Sequence, residues 1–570
     1  MTGKTYGIYN PSGIVNYYDG TITASLNQSL YGSVSDTIEE YDINVDKNET
    51  TETVSLKIPI TFVAQIGENK YPTLQSAIDS ITETTETQID LIGDIDTIND
   101  VIVPENKNIK LNLNSHQIRI HKKSGYIENN GILYLFDESE NQNGKIISDG
   151  IKSIENNGII NIDNILINSD INVECLINNN GTLNLSSGEI SSTSYNSSYA
   201  NINNNEDGTF NMTGGKISKL YKGYGLKNSG ISKITNGKID MIYVSDGYNQ
   251  SSYRTAIKNT ETGNLTIENI EYTKSSGDFL SNDGIAKILD VTTDSSITNN
   301  NKKIEINNVD SSGYLTANGT GETIVSNSKF KRIATAWNYS GILTIKDNSN
   351  IYNSESSALS IDGDGIVTLE DSTIESKNNE AIRNAGTKPL NIKNSIVKAR
   401  YYGIYNYNSS GTINITGTTN ITSTENHGIY NYSTGTISIG EKDGNVSTKT
   451  PIITGKTYGV YNNNNDSVFN FYDGVIKGGT GAIYGKVNDI ETSYEIITKT
   501  EDGVESKYLA QLPVAKIVLT DKEYLTLQEA FDESESGDTI QMLRNVTTLS
   551  TSQSTTILEE KNVILDLNGY

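Results

Sequence analysis

The sequence predicts an all-β chain, a right-handed parallel β-helix (β-solenoid) with a short N-terminal capping helix and β-rich connectors. Three observations predict it: a short phrase repeated along most of the chain, a strand-type alternation inside each copy, and a spacing between copies too small for other repeat folds. The phrase is plainest at Tyr402-Gly-Ile-Tyr-Asn-Tyr-Asn-Ser-Ser-Gly-Thr-Ile-Asn-Ile415 and His427-Gly-Ile-Tyr-Asn-Tyr-Ser-Thr-Gly-Thr-Ile-Ser-Ile439. Each copy holds an apolar residue, any residue and an Asn, then a polar turn, a Gly and a strand with apolar residues at alternate positions. Period-2 alternation marks a strand with one buried face.

The phrase places its Asn at 129, 156, 179, 204, 228, 259, 282, 338, 384, 406, 431 and 462. A following strand recurs at Gly158-Ile-Ile-Asn-Ile162, Gly181-Thr-Leu-Asn-Leu185 and Gly365-Ile-Val-Thr-Leu369, and a Gly-x-Ile element at Gly188, Gly215 and Gly237. Most gaps between the Asn positions are 22 to 27 residues and two are 31. The gap of 46 from 338 to 384 predicts two coils with Ile361 in the Asn slot, and the 56 residues from 282 to 338 predict two coils and an insertion. A propeller blade needs about 40 residues, and leucine-rich repeats need a fixed Leu ladder where this chain has mainly Ile. The Asn is expected in a turn of positive φ, with stacked side chains bonded from coil to coil.

Both ends of the chain repeat its middle. Thr2-Gly-Lys-Thr-Tyr-Gly-Ile-Tyr-Asn10 matches Thr454-Gly-Lys-Thr-Tyr-Gly-Val-Tyr-Asn462, and Lys107-Asn-Ile-Lys-Leu-Asn-Leu-Asn114 matches Lys561-Asn-Val-Ile-Leu-Asp-Leu-Asn568, offsets of 452 and 454. A long period is laid over the short one, and the chain is expected to be a window on a longer tandem protein. The organisation follows: 1–24 as the last coil of a preceding unit, 25–64 as a β-rich connector with alternation over Val54–Ile60, 65–485 as the β-helix, 486–514 as a second connector, and 515–570 as the start of the next unit. Leu74, Ala77, Ile78 and Ile81 make one apolar stripe on a helix over 71–81, repeated at Leu527, Ala530 and Phe531. Such a helix shields the open end of a solenoid core.

The 570 residues are 35% apolar with a net charge of −26, which suits a thin core in polar turns and repels nucleic acid and anionic membranes. No apolar run approaches the roughly 18 residues of a membrane span, and no basic-then-apolar leader opens the chain. The one cysteine, Cys175, lies between Val173-Glu174 and Leu176-Ile177 and reads as a small buried apolar residue.

The Tyr-x-Thr-Leu-Gln-x-Ala-Ile/Phe helix, with Gly537-Asp-Thr-Ile540 and Asn562-Val-Ile-Leu-Asp-Leu-Asn-Gly569, resembles the opening of pectin-lyase-like right-handed β-helix modules of large Gram-positive bacterial surface proteins. The resemblance covers 65–120 and 515–570. It implies an extracellular, cell-surface setting and a fold that carries enzymes, adhesins and fibres alike.

Residues decide among these. Asp362, Asp364, Arg400 and His427 are the candidates for a polysaccharide lyase or hydrolase, which needs clustered carboxylates and a basic partner on one exposed face. Asp362-Gly-Asp-Gly365 stands where other coils carry turns, and His427 fills the slot of Tyr402. Asn-Thr-Asp, Asp-Asp and Arg-Ile-Lys motifs of polygalacturonases do not occur, nor do EF-hand or Gly-Gly-x-Gly-x-Asp calcium repeats. No catalytic, cofactor-binding or metal-binding residue is therefore assigned, and no cofactor is expected. The expected function is a non-enzymatic stalk, fibre or adhesin, with surface glycans or further copies of the chain as partners. The alternative is a carbohydrate-active enzyme or glycan-binding module, in which some of the 34 Tyr stack on sugars instead of on one another.

Overall fold

The computed structural model describes residues 1–37, 42–57, 61–97, 99–121, 126–169, 171, 173–193, 198–220, 223–242, 254–274, 277–447, 449–546, 556 and 561–570. Among them the chain is almost entirely short strands, with two helices, Leu74–Ser80 and Leu527–Glu533. From Thr87 onward the strands stack as a parallel β-solenoid of three faces. The first face runs through Ile159–Asp163, Thr182–Leu185 and Thr209–Met212, the second through Leu166–Ser169, Glu189–Ser192 and Lys216–Leu220, and the third through Ile154–Asn156, Cys175–Asn179 and Ala200–Asn204. Every strand pairs with its counterpart in the next coil, so the backbone hydrogen bonds run along the rod. The alternate apolar residues, mainly Ile, point inward and form one continuous core from Ala64 to Leu509.

Asn occupies the last position of most third-face strands. Asn129 Nδ2 donates to Asn156 Oδ1 at 2.8 Å, and the chain of bonds continues through Asn179, Asn204, Asn228, Asn259 and Asn282 to Asn299. A second run joins Asn384, Asn406, Asn431 and Asn462 at 2.7–2.8 Å. These side chains are buried, and their second amide hydrogen commonly meets a backbone carbonyl, as when Asn156 Nδ2 donates to Thr182 O of the next coil at 3.0 Å. The ladder is thus a coil-to-coil bond network, as expected, but it does not occupy positive-φ turns. Positive φ falls instead between the first and second faces, at Asn164 (+55°), Asn269 (+50°) and Asn394 (+50°), or at Gly188 (+89°) and Gly215 (+74°) where the sequence has Gly-x-Ile. Asn and Gly are the residues that tolerate that region, so the abundance of Asn has two separate causes.

The stretch from 282 to 338 departs from expectation. Its third-face slots are Asn282, Asn299, Ala317 and Thr335, followed by Ile361, so it holds three tight coils where two with an insertion were expected. Asn338 is not a ladder residue. The strands Ile285–Thr293 and Ile304–Ala317 run through the corners without a break, which removes the turn residues on which the spacing depended. Behind Asn338, Tyr339 turns fully inward and its hydroxyl donates to Gly321 O at 3.1 Å. From Ile127–Asn129 to Tyr458–Asn462 there are fifteen stacked third-face strands, hence fourteen steps and a rod segment of about 67 Å at a strand spacing of ~4.8 Å.

The helix starts later than the apolar stripe suggests. Tyr71 ends the strand Asn69–Tyr71, Thr73 caps the helix through a capping box with Ser76, and Ile81 is the C-cap. The Thr-Leu-Gln phrase gains a physical meaning here. Thr73 caps, Leu74 is buried, and Gln75 clamps the strand Val101–Val103, its Oε1 accepting from Ile102 N at 2.7 Å and its Nε2 donating to Ile102 O at 3.1 Å. Gln528 makes the same pair of bonds to Thr556 in the second copy. At the other end of the rod the hairpin Tyr494–Glu501/Val504–Gln511 adds antiparallel to Val475–Gly478 and buries Leu509. A matching hairpin, Asp42–Lys47/Glu52–Lys57, adds to Thr21–Ala24. Leu30–Tyr31 and Val34–Thr37, within the stretch read as connector, stack in parallel on Ile8–Tyr9 and Val15–Tyr17. Ile58, Pro59 and Ile60 of the predicted alternation lie outside the described residues.

Replacing Asn406 by Leu strands the Asn384 amide hydrogen and the Asn431 carbonyl in a dry core, and each unpaired group costs about 1–3 kcal/mol. The expected outcome is a loss of roughly 2–4 kcal/mol by denaturant unfolding. An unchanged midpoint would show that the ladder contributes nothing.

Candidate functional site

The sequence candidates are not brought together. Asp362 and Asp364 follow the third-face strand Leu359–Ile361, whereas Arg400 and His427 precede the third-face strands Ile404–Asn406 and Ile429–Asn431. They lie at opposite edges of that face, on the order of 15 Å apart at ~3.3 Å per residue, and in different coils. A basic partner in acid–base work has to stand within hydrogen-bond reach of its carboxylate, about 3 Å.

Each candidate has a local structural engagement. Asp362 lies 3.8 Å from the Arg383 guanidinium and accepts from Tyr407 Oη at 3.4 Å and from Ser360 Oγ at 3.2 Å. Arg383 sits 4.7 Å above the Tyr407 ring centre. Asp364 accepts from Thr387 Oγ1 of the next coil at 2.6 Å. The glycines between and after them make room for Tyr339, since a Cβ on Gly365 would stand 2.4 Å from its ring. Arg400 is exposed and lies over Tyr401, 5.4 Å from the ring centre.

His427 belongs to an aromatic stack. It faces Tyr461 at 4.4 Å with planes 9° apart, and Tyr461 faces Tyr484 at 4.3 Å and 8°. Beside it, Tyr405 and Tyr430 face each other at 5.4 Å and 10°. Tyr405, Tyr430, Tyr461 and Tyr484 share one register column. Sugar stacking needs a free ring face, and here Tyr405 with Tyr430, His427 with Tyr461 and Tyr461 with Tyr484 face one another, while Tyr430 meets Tyr461 edge-on at 64°. Tyr9 and Tyr31 repeat the arrangement at 5.0 Å and 15°. The rings therefore serve as a ladder between coils.

The first face offers a different feature, a groove of about 500 Å³. Its floor is the outward polar column Thr368, Asn391, Asn414 and Ser438, and its wall is Gly440–Lys442 with Tyr472. Lys442 Nζ bonds Asp489 at 2.8 Å, and Tyr472 Oη donates to the same carboxylate at 2.9 Å. The Lys442 ammonium and then the Tyr472 hydroxyl hold Asp489 below the usual carboxylate range. Amides and hydroxyls at coil spacing can hydrogen-bond a polyol, and the lining also carries Glu441 and Glu370, the latter paired with Lys393 at 3.4 Å. The groove eluded sequence reading because its wall comes from the segment between Ile439 and Ile452, whose place in the fold no periodicity announces. Among the described residues, no group of three His, Cys, Asp or Glu side chains could hold a metal ion.

Comparison with protein-family models, curated proteins and solved structures finds no match to the chain. The site thus has to be read from its own chemistry.

Burial pushes the His427 imidazole down to about 4 from its ordinary ~6.5. The folded chain then binds that proton less readily than the unfolded chain, so His427's contribution is full above pH 6.5 and lost as pH falls towards 4. Allowing for partial exposure, it amounts to roughly 1–2 kcal/mol. His427→Phe keeps a ring on Tyr461 without the titration. The Tm of the wild type should fall relative to this variant between pH 7 and pH 4, and a flat difference would remove His427 as the cause.

Proposed function

We propose that the chain is a non-enzymatic structural or adhesive protein of the cell exterior, a stalk, fibre or adhesin built from tandem β-solenoid units. The observation that carries this reading is the repetition of a self-closing unit: a capping helix with its Gln clamp opens the rod at Leu74–Ser80 and recurs at Leu527–Glu533, and a hairpin closes the rod at 494–511 and recurs at 42–57. Repetition of a closed rod adds reach and copies of one surface, which suits multivalent attachment. The resemblance to surface-protein modules supports the same setting. Asp362, Asp364 and His427 each support a neighbouring coil, which leaves them a structural role.

The groove on the first face favours a second reading, glycan binding, with Asn391, Asn414 and Ser438 meeting sugar hydroxyls. Incubating the full chain with pectins, alginates and other glycans separates the readings. The expected outcome is no unsaturated product and no new reducing end. Release of either, abolished by Asp362→Asn, Asp364→Asn or His427→Ala, would overturn the structural reading, whereas retention on a glycan without turnover, lost in Asn414→Leu, selects the binding module.

A further inference from the structure

Two residues break the inward pattern of the coils at one place. Along one register column of the second face, Ser169 pairs with Ser192, Ser192 with Lys219 and Lys219 with Met241. A lysine thus stands between a serine and a methionine in this column, and it is 1% exposed. Near the start of the third-face strand other coils place Leu176, Gly225 or Ala256, yet here the chain places Asn201, which is 0% exposed. A buried amine and a buried carboxamide are expensive unless each has partners, and these two share theirs. Lys219 Nζ lies 3.2 Å from Ser192 Oγ and 3.4 Å from Asn201 Oδ1, and Ser192 Oγ donates to Asn201 Oδ1 at 2.5 Å. Asn201 Nδ2 is held by Ile190 O at 3.1 Å and by Ser218 O.

We propose that Lys219 and Asn201 form an intramolecular isopeptide bond that staples two successive coils. Lys219 Nζ adds to Asn201 Cγ, and the Cγ–Nδ2 bond breaks with release of ammonia. One amine proton passes to Ser192 Oγ as the serine proton passes to Oδ1, which gives a neutral tetrahedral intermediate. Collapse restores the carbonyl and delivers that proton to the leaving nitrogen, so atoms and charge balance with no oxidant or cofactor. The parts needed are present: an amine beside the carbonyl, a hydroxyl aimed at the oxygen where negative charge develops, and a dry core that keeps water from competing. Burial also pushes Lys219 down to about 7, so a large share of it is the nucleophilic free amine at neutral pH. Cys175, pushed up to about 12 by burial, stays a neutral thiol and does not compete for the role.

Intact-mass measurement of the purified full chain tests the proposal. The expected result is a mass lower than that of the sequence by one ammonia, with a branched peptide joining the fragments that contain Asn201 and Lys219. Lys219→Met and Asn201→Ala should each restore the full mass, and Ser192→Ala should slow the conversion. Succinimide formation at Asn-Gly pairs such as Asn130-Gly131 or Asn236-Gly237 also loses ammonia. A deficit that persists in Lys219→Met, or a wild type of full mass with no branched peptide, would overturn the proposal. The branched peptide is read on the wild type alone, so the test stands even where a variant fails to fold.

Discussion

Registration of one coil on the next is the constraint on which everything else depends. No coil can bury its own apolar side chains, so stability comes from stacking, and stacking works only if like positions meet. The buried Asn column enforces this. A slip by two residues would set an amide against an Ile and a hydrocarbon against a carbonyl, at the full price of buried unsatisfied groups. The same rule accounts for the outer surface, where Lys216 bridges Glu189 and Asp240 in the coils on either side at 3.3 and 3.1 Å, and for the tyrosine column on the third face. Such pairs are individually weak in water, but they recur along the rod.

The cost of the arrangement appears at its ends. Asn129 is the first member of its column, and its Oδ1 is buried without a donor. The open core ends are covered by different devices, a helix at one side and an antiparallel hairpin at the other. The capping phrase is efficient because three adjacent residues supply a cap, a core side chain and a clamp for exposed strand edges. Lys107 and Lys561 complete it by donating to the last carbonyls of the two helices.

The alternation, the short spacing and the fixed place of Asn made the fold legible before any coordinates, because each reports a position repeated at every coil. Legibility failed where a single coil deviates. Asn338 carries the right local phrase, but Tyr339 behind it fills the core and Thr335 takes the slot. The positive-φ role was assigned to the wrong Asn since two columns use the same residue for different reasons. Nothing in local pattern marked the groove wall at 440–442. The anomaly at Lys219 and Asn201, by contrast, was open to sequence reading once columns were aligned, because a charged residue at an inward position breaks the pattern by itself.

The direction of the amide bonds has a consequence for how such a chain changes over time. Within each run a ladder Asn donates forward and accepts from behind, so each interior coil presents the same face to its successor that it received from its predecessor. Removing or duplicating one whole coil rejoins a donor to an acceptor and leaves no orphan. A point change in the same column leaves two. Length in this architecture is therefore far freer to drift than composition, in increments of one coil at a time, and the tight coils between 282 and 335 show how widely the size of that increment itself can vary.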